Sequence, residues 1–340
     1  MVAEILGSGD TARARAFIEA QGLAFEPGFD DLVGLFESDA LLAVGARDGK
    51  VLKMLAIDPS AQGGELLGAL VTDLARRGFA AGHDALFVFT KPECVTSFEA
   101  LNFALLAAHG RAALLEYGQG LARYLEANRA LVREGANGAV MVNCNPFTLG
   151  HRHLVEEAAR RVDTLYVFVV REDRSAFPFD VRLRLVRDGT SDLANVRVLD
   201  TSHYAVSAAT FPAYFLKRAA DAAPIQMELD LVLFAQRIAP FFHVTRRFFG
   251  TEPYCATTRA YNDAMRRVLP AFGIEPVEIA RKEARGDAIS ASRVRAALRR
   301  GDLADLVDLV PESTAAFLAS EEGRALTEQL RHGAGSERHA

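Results

Sequence analysis

The sequence has no basic excess. Its 39 Lys and Arg stand against 44 Asp and Glu, a net charge of −5. A general nucleic-acid binder needs a basic face to displace counterions, so no nucleic-acid partner is expected. Cysteine is scarce: Cys94, Cys144 and Cys255 lie far apart. None forms a CxxC pair or a Cys/His cluster with metal spacing, which excludes a disulfide scaffold and leaves no protein metal site to expect. The start, MVAEILGSGD, lacks a basic stretch followed by an apolar run, so no signal peptide is visible. The longest apolar runs, such as Leu165–Val170, fall far short of a membrane span. These absences predict a soluble cytoplasmic protein with no membrane partner. They leave room for a triphosphate, because a few local arginines and a helix N-terminus can hold one inside an acidic protein.

What is present is length and apolar material. At 340 residues, half of them hydrophobic, two domains with packed cores are the expectation. The first segment, 1–124, has short apolar runs at Leu41–Val44 and Val51–Ile57, with Asp48-Gly49 between them as a hairpin signal. Gln62-Gly63-Gly64 leads into a helical pattern carrying Leu66, Leu67, Leu70, Val71 and Leu74. Asp84–Phe89 reads as a buried strand, and Phe98–Phe103 as a short helix. Leu121–Arg133 is an amphipathic helix that stops at a glycine-rich stretch, so 125–137 reads as a connection. From 138 the texture changes. Apolar strands at Ala139–Val142, Leu165–Val170 and Val196–Leu199 alternate with helices, the pattern of a parallel sheet built from βαβ units. This second domain is expected to run over 138–332, with 333–340 as a disordered tail.

Two stretches carry chemistry. In Asn143-Cys144-Asn145-Pro146-Phe147-Thr148-Leu149-Gly150-His151, the first strand of the second domain turns into its first helix, at the ligand-binding end of such a sheet. Gly150 permits close backbone approach, and the helix N-terminus offers N–H groups to a phosphate. His151 and Thr148 can hydrogen-bond oxygens on the transferring phosphorus. The second stretch is Ile289-Ser290-Ala291-Ser292-Arg293-Val294-Arg295. Ser290 is an expected N-cap and Gly301 the expected helix end. Ser290, Ser292 and Arg295 suit the outer phosphates of a triphosphate.

Together these stretches resemble the (H/T)xGH and ISSTxxR signatures of the HxGH-type nucleotidyltransferase superfamily. Thr148 stands where many members have His, and Ala291 replaces the second serine. Longer blocks narrow the resemblance: NCNPFTLGHRHLVEEAA, VVREDRSAFPFDVRLRLV, SAATFPAYFLK, FFGTEPYCATTRAYNDAM and GDAISASRVRAAL are similar to the citrate lyase ligase family, in the family's order. The resemblance implies a Rossmann-like nucleotidyltransferase domain preceded by a GNAT-like α/β domain. It implies ATP and magnesium as cofactors, acetate as substrate, and the acyl carrier subunit of citrate lyase as partner. Its thiol would be acetylated through acetyl-AMP. The catalytic residues implied are Thr148, His151 and Arg295. The nucleotide contacts implied are Asn145, Pro146, Phe147, Gly150, Gly250, Glu252, Tyr254, Ser290 and Ser292. Arg171, Glu172 and Asp173, at the end of the second strand, can meet acetate or magnesium or form a solvated charge run. Three other readings stay open: an equivalent ligase for a malonate decarboxylase carrier, a small-molecule adenylyltransferase, and a non-catalytic nucleotide-binding protein.

The first segment matches the GNAT order of hairpin, glycine loop, helix, strand and helix. It has Glu65 and Leu67 where a GNAT pyrophosphate loop takes small residues, and Asn102 where a later element takes glycine. An independent acetyltransferase is therefore not expected.

Overall fold

The computed structural model describes residues 2–61, 65–171, 175–205, 211–216, 221–302 and 304–332. The glycine loop 62–64, the pair Glu172-Asp173 and the tail 333–340 lie outside the described residues. The chain forms two compact units. One comprises Met1–Asn128 with Val206–Arg237, the other Arg129–Ala205 with Ile238–Ala340. The expected unbroken second domain over 138–332 is thus interrupted, because residues 206–237 group with the first unit. No helix among the described residues is long and apolar enough to cross a membrane.

The first unit carries β1 (Val2–Glu4), α1 (Ser8–Ala20), β2 (Asp31–Glu37), β3 (Ala40–Asp48), β4 (Val51–Ile57), α2 (Glu65–Ala80), β5 (Ala85–Thr90), α3 (Val95–Glu99), β6 (Phe103–His109), β7 (Ala112–Gly118) and α4 (Gly120–Ala127). Its seven-stranded sheet runs β1-β2-β3-β4-β5-β7-β6 and is antiparallel except at β4–β5. The hairpin between β3 and β4 turns at Gly49, whose φ of 53° suits glycine. The expected helix over Phe98–Phe103 ends sooner, and Phe103 opens β6. Asn102 between them has φ 65°, a conformation asparagine tolerates better than most residues, which is how it can stand in for glycine. Likewise α4 stops at Ala127, and a separate 3₁₀ turn follows at Arg129–Leu131.

Strands β4 and β5 pair only at Val51↔Phe87 and Leu52↔Val88, then diverge. Residues 211–216 lie against the separated strand ends. The Tyr214 hydroxyl donates to Phe89 O at 2.7 Å, and Ala24 N–H donates to Tyr214 O at 2.8 Å. Phe211 packs edge-on against Phe89. Helix α7 (Ala222–Leu233), buried from Ile225 onward except at the half-buried Glu228, completes this unit.

The second unit is a parallel α/β sheet with β8 (Asn137–Val142), α5 (Leu149–Ala159), β9 (Thr164–Val169), α6 (Phe179–Asp188), β10 (Val196–Asp200), β11 (Val244–Gly250), α8 (Ala256–Val268) and β12 (Glu275–Ile279). A small hairpin of β13 (Glu283–Ala284) and β14 (Asp287–Ala288) follows, then α9 (Ala291–Arg300), α10 (Glu312–Ala319) and α11 (Glu321–His332). Every residue of β9 is buried, as expected for a sheet covered on both faces. Asn137, placed above in the connection, is a buried strand residue. Its side chain donates to Phe242 O at 2.9 Å.

All pairings in this sheet are parallel, and the order is β10-β9-β8-β11-β12. The chain starts at the centre, builds outward to β10, then returns to add β11 on the other side of β8. The direction of winding therefore reverses between β8 and β11, which opens a crevice at their carboxyl ends. Asn143 follows β8 directly, and Gly250 ends β11, so both lie at that edge. The fold class expected from the sequence, a parallel-sheet domain after a mixed α/β domain, is the one observed.

Candidate active site

Helix α5 begins in a capping box. The Thr148 hydroxyl accepts from His151 N–H at 3.3 Å, and Thr148 N–H donates to His151 Nδ1 at 3.1 Å. A backbone N–H can only donate, so Nδ1 is the acceptor and the neutral imidazole carries its proton on Nε2. The Thr148 hydroxyl, 2.9 Å from Nδ1, supports the same arrangement. Burial, and then the Arg281 charge, push the His151 pKa down to about 4. His151 is thus a neutral donor through Nε2 at ordinary pH.

The other N–H groups of this helix start can be followed one by one. Leu149 N–H donates to Leu309 O at 2.9 Å. Those of Thr148 and His151 are used in the capping box. Among the described residues nothing accepts from Gly150 N–H, which stays open to a ligand.

Helix α9 repeats the device. The Ser290 hydroxyl caps it by accepting from Arg293 N–H at 3.3 Å, and Gly301 ends it with φ 76°, both as expected from the sequence. Among the described residues no acceptor meets the N–H of Ala291 or Ser292. The two helix starts are in contact. A Cβ on Gly150 would lie 2.8 Å from Ile289 O, so only glycine lets them close to this distance. Arg295 adds a second tie, donating from Nη1 to Asn145 O at 2.6 Å and from Nη2 to the Ser292 hydroxyl at 3.3 Å. Arg293 faces away from this junction, donating to Asp287 O at 3.0 Å and Ala288 O at 3.1 Å, and so fastens the β13–β14 hairpin.

Several expected nucleotide contacts have other employment. Phe147 is fully buried, lies nearly parallel to the His151 ring and packs closely against Gly189. Pro146 is buried too. Neither presents a side chain at the surface, and Phe147 braces the helix start against Gly189. Thr148 is 1% exposed, and its hydroxyl serves His151. Asn145 accepts from Phe177 N–H at 2.8 Å through Oδ1. Glu252 forms a largely buried ion pair with Arg281 and accepts from Tyr254 N–H and Cys255 N–H at 3.0 and 3.1 Å. It organises the turn after β11. Gly250 accepts from Asn262 through its carbonyl, and Tyr254 is 64% exposed.

Sequence reading missed Arg281, which stands two residues beyond β12 at the carboxyl edge. Its Nε donates to Thr251 O at 2.5 Å, and its charge acts on His151. It also missed Arg182 on α6, a wholly buried guanidinium. Arg171 pairs with Asp200 at 3.2 Å and lies over the Phe179 ring. Burial raises the Cys144 thiol far above its ordinary pKa, which removes it as a nucleophile. Among the described residues no cluster of three acidic, His or Cys side chains is placed to hold a metal.

Residues 137–318 match the citrate lyase ligase C-terminal domain family. The citrate (pro-3S)-lyase ligase of Klebsiella pneumoniae is 41% identical over 82% of this chain and 83% of its own length. The chain belongs to the citrate lyase ligase family. It is accordingly an enzyme of the ligase class. The ligase of the same name from Escherichia coli K12 is 36% identical over 90% of both chains. Among solved structures, Thermotoga maritima TmcAL bound with alpha-thio ATP is similar at 14% identity, with a TM-score of 0.36, over 57% of each chain.

Proposed function

We propose that this citrate lyase ligase homologue uses ATP to join acetate to the thiol of the prosthetic group on the citrate lyase acyl carrier subunit, in the cytoplasm. The observation that carries the reading is the junction of two helix starts at Gly150 and Ile289, each with open N–H donors. Two such starts side by side suit a chain of phosphates better than a single anion. His151 Nε2–H and Gly150 N–H would face the α-phosphate, and the α9 start with Ser292 and Arg295 the outer phosphates. The exposed Tyr254 ring at the end of β11 offers a surface for adenine.

An acetate oxygen attacks the α-phosphorus as its bond to the bridging oxygen of the β-phosphate breaks, giving acetyl-AMP and pyrophosphate. The neutral His151 donor and the helix N–H groups stabilise charge gathering on the α-phosphoryl oxygens. The carrier thiol, after losing its proton to solvent, attacks the acyl carbon and AMP leaves. Magnesium, when bound with ATP, would supply positive charge that offsets the charge of the phosphates. The relatives named for citrate lyase favour that carrier over the one from malonate decarboxylase.

The test is a product assay with ATP, magnesium, acetate and deacetylated carrier. AMP and pyrophosphate are expected, and formation of ADP and phosphate would rule out adenylylation.

A further inference from the structure

Asn143 stands immediately past β8 with its side chain exposed, and its amide is held by one end. Arg182 Nη1 lies 2.7 Å from Asn143 Oδ1, and the Ser175 hydroxyl lies 3.3 Å from the same atom. A guanidinium only donates, so the atom facing it is the amide oxygen, and Nδ2 is turned away. Among the described residues nothing accepts from Nδ2.

Arg182 cannot readily turn aside. Its side chain is fully buried, and it also donates to Asn143 O at 2.7 Å, Val170 O at 2.9 Å and Phe177 O at 3.0 Å. One guanidinium thereby ties the carboxyl end of β8 to that of β9 and to the segment leading into α6. A carboxylate attacking in line must arrive opposite the leaving pyrophosphate, and Asn143 stands at the same carboxyl edge as the α5 start, beside the end of β9. A neutral amide donor suits that position, because it can orient a carboxylate without taking away its charge.

We propose that Asn143 binds the carboxylate of the acyl substrate through Nδ2–H, and that Arg182 is a positioning residue that fixes the direction of this amide. The assignment rests on the carboxylate-activating reading above.

The experiment is ATP–pyrophosphate exchange with acetate as the variable substrate. Wild-type exchange must depend on acetate. If it does not, the ligase reading falls and this assignment with it. Given that dependence, Asn143→Asp keeps an oxygen for Arg182 but replaces the donor with an anionic oxygen. KM for acetate should rise on the order of 10- to 100-fold, the size of one lost hydrogen bond to a charged ligand, while KM for ATP stays within about twofold. Asn143→Ala serves the same purpose if the aspartate variant misfolds. Arg182→Lys should raise KM for acetate in the wild-type background but add nothing to Asn143→Ala, since it acts through that amide. An unchanged KM for acetate in folded Asn143 variants overturns the assignment and leaves the ligase reading standing. Equal rises for acetate and ATP in Arg182→Lys, or additivity with Asn143→Ala, overturn the positioning role.

Discussion

Arg295 donates to the backbone carbonyl of Asn145 at 2.6 Å, across 150 positions of sequence. The guanidinium expected to hold phosphates is thus also a clasp between the two motif-bearing loops. In Arg295→Lys the ammonium cannot span Asn145 O and the Ser292 hydroxyl together. KM for ATP should rise and turnover fall, each by roughly tenfold, the scale of one charged hydrogen bond. Steady-state exchange kinetics check this, and wild-type values in that variant would remove Arg295 from the site.

His151→Ala takes away the Nε2 donor. Turnover in the exchange reaction should drop on the order of 10²–10³-fold, as for loss of one preorganised donor to developing charge. KM for ATP should move far less, because the effect belongs to the transition state. Near-normal turnover would show that His151 is only a cap of α5.

The depressed His151 pKa has a signed consequence for stability. The unfolded histidine titrates near 6.5 and the folded one near 4, so between these values the unfolded chain binds more protons. Acidification through that window should therefore destabilise the native protein. His151→Gln lacks the proton-binding site, so its melting temperature should fall less than that of the wild type between about pH 6.5 and 4.5. Parallel pH profiles for the two proteins would contradict a partly buried, neutral imidazole. The same state of His151 predicts that no ionisation near 6.5 in the exchange rate belongs to this residue.

Gly150→Ala places a methyl 2.8 Å from Ile289 O, a backbone atom that cannot swing aside. Separating the two helix starts should cost about 1–3 kcal/mol and lower the melting temperature by several degrees. Exchange activity should fall with it. Gly250→Ala makes the comparison, since the nearest atom to its Cβ is 3.8 Å away and no such loss is expected. Equal melting temperatures for the two variants would refute the close junction.

What the sequence made legible was local. The cap at Ser290, the stop at Gly301 and the strand–helix turn before His151 depend on neighbours within a few residues. Their meeting does not, since β9 to β12 all lie between Gly150 and Ile289 in the chain. Phe147 looked like part of a ligand motif because its burial is set by Gly189, far along the chain. Glu252 looked available because its partner Arg281 belongs to another strand end. Strand β11 went unread because Arg246 and Arg247 interrupt its apolar pattern, although Arg247 is only 2% exposed in the sheet. Strand β12 is at the sheet edge and half-exposed, with Pro276 inside it, which hides it from a search for buried runs.

The interruption of the second unit bears on how the polypeptide matures as it is made. Synthesis runs from the N-terminus, yet the first unit is complete only when Arg237 has been added, after β8, β9 and β10 of the second unit. The apolar face of α7, and Phe211 and Tyr214 that meet β5, reach their places late. The first unit must therefore wait, with the ends of β4 and β5 uncovered, while three strands of its neighbour emerge. The two units cannot mature as a simple succession of N-terminal before C-terminal.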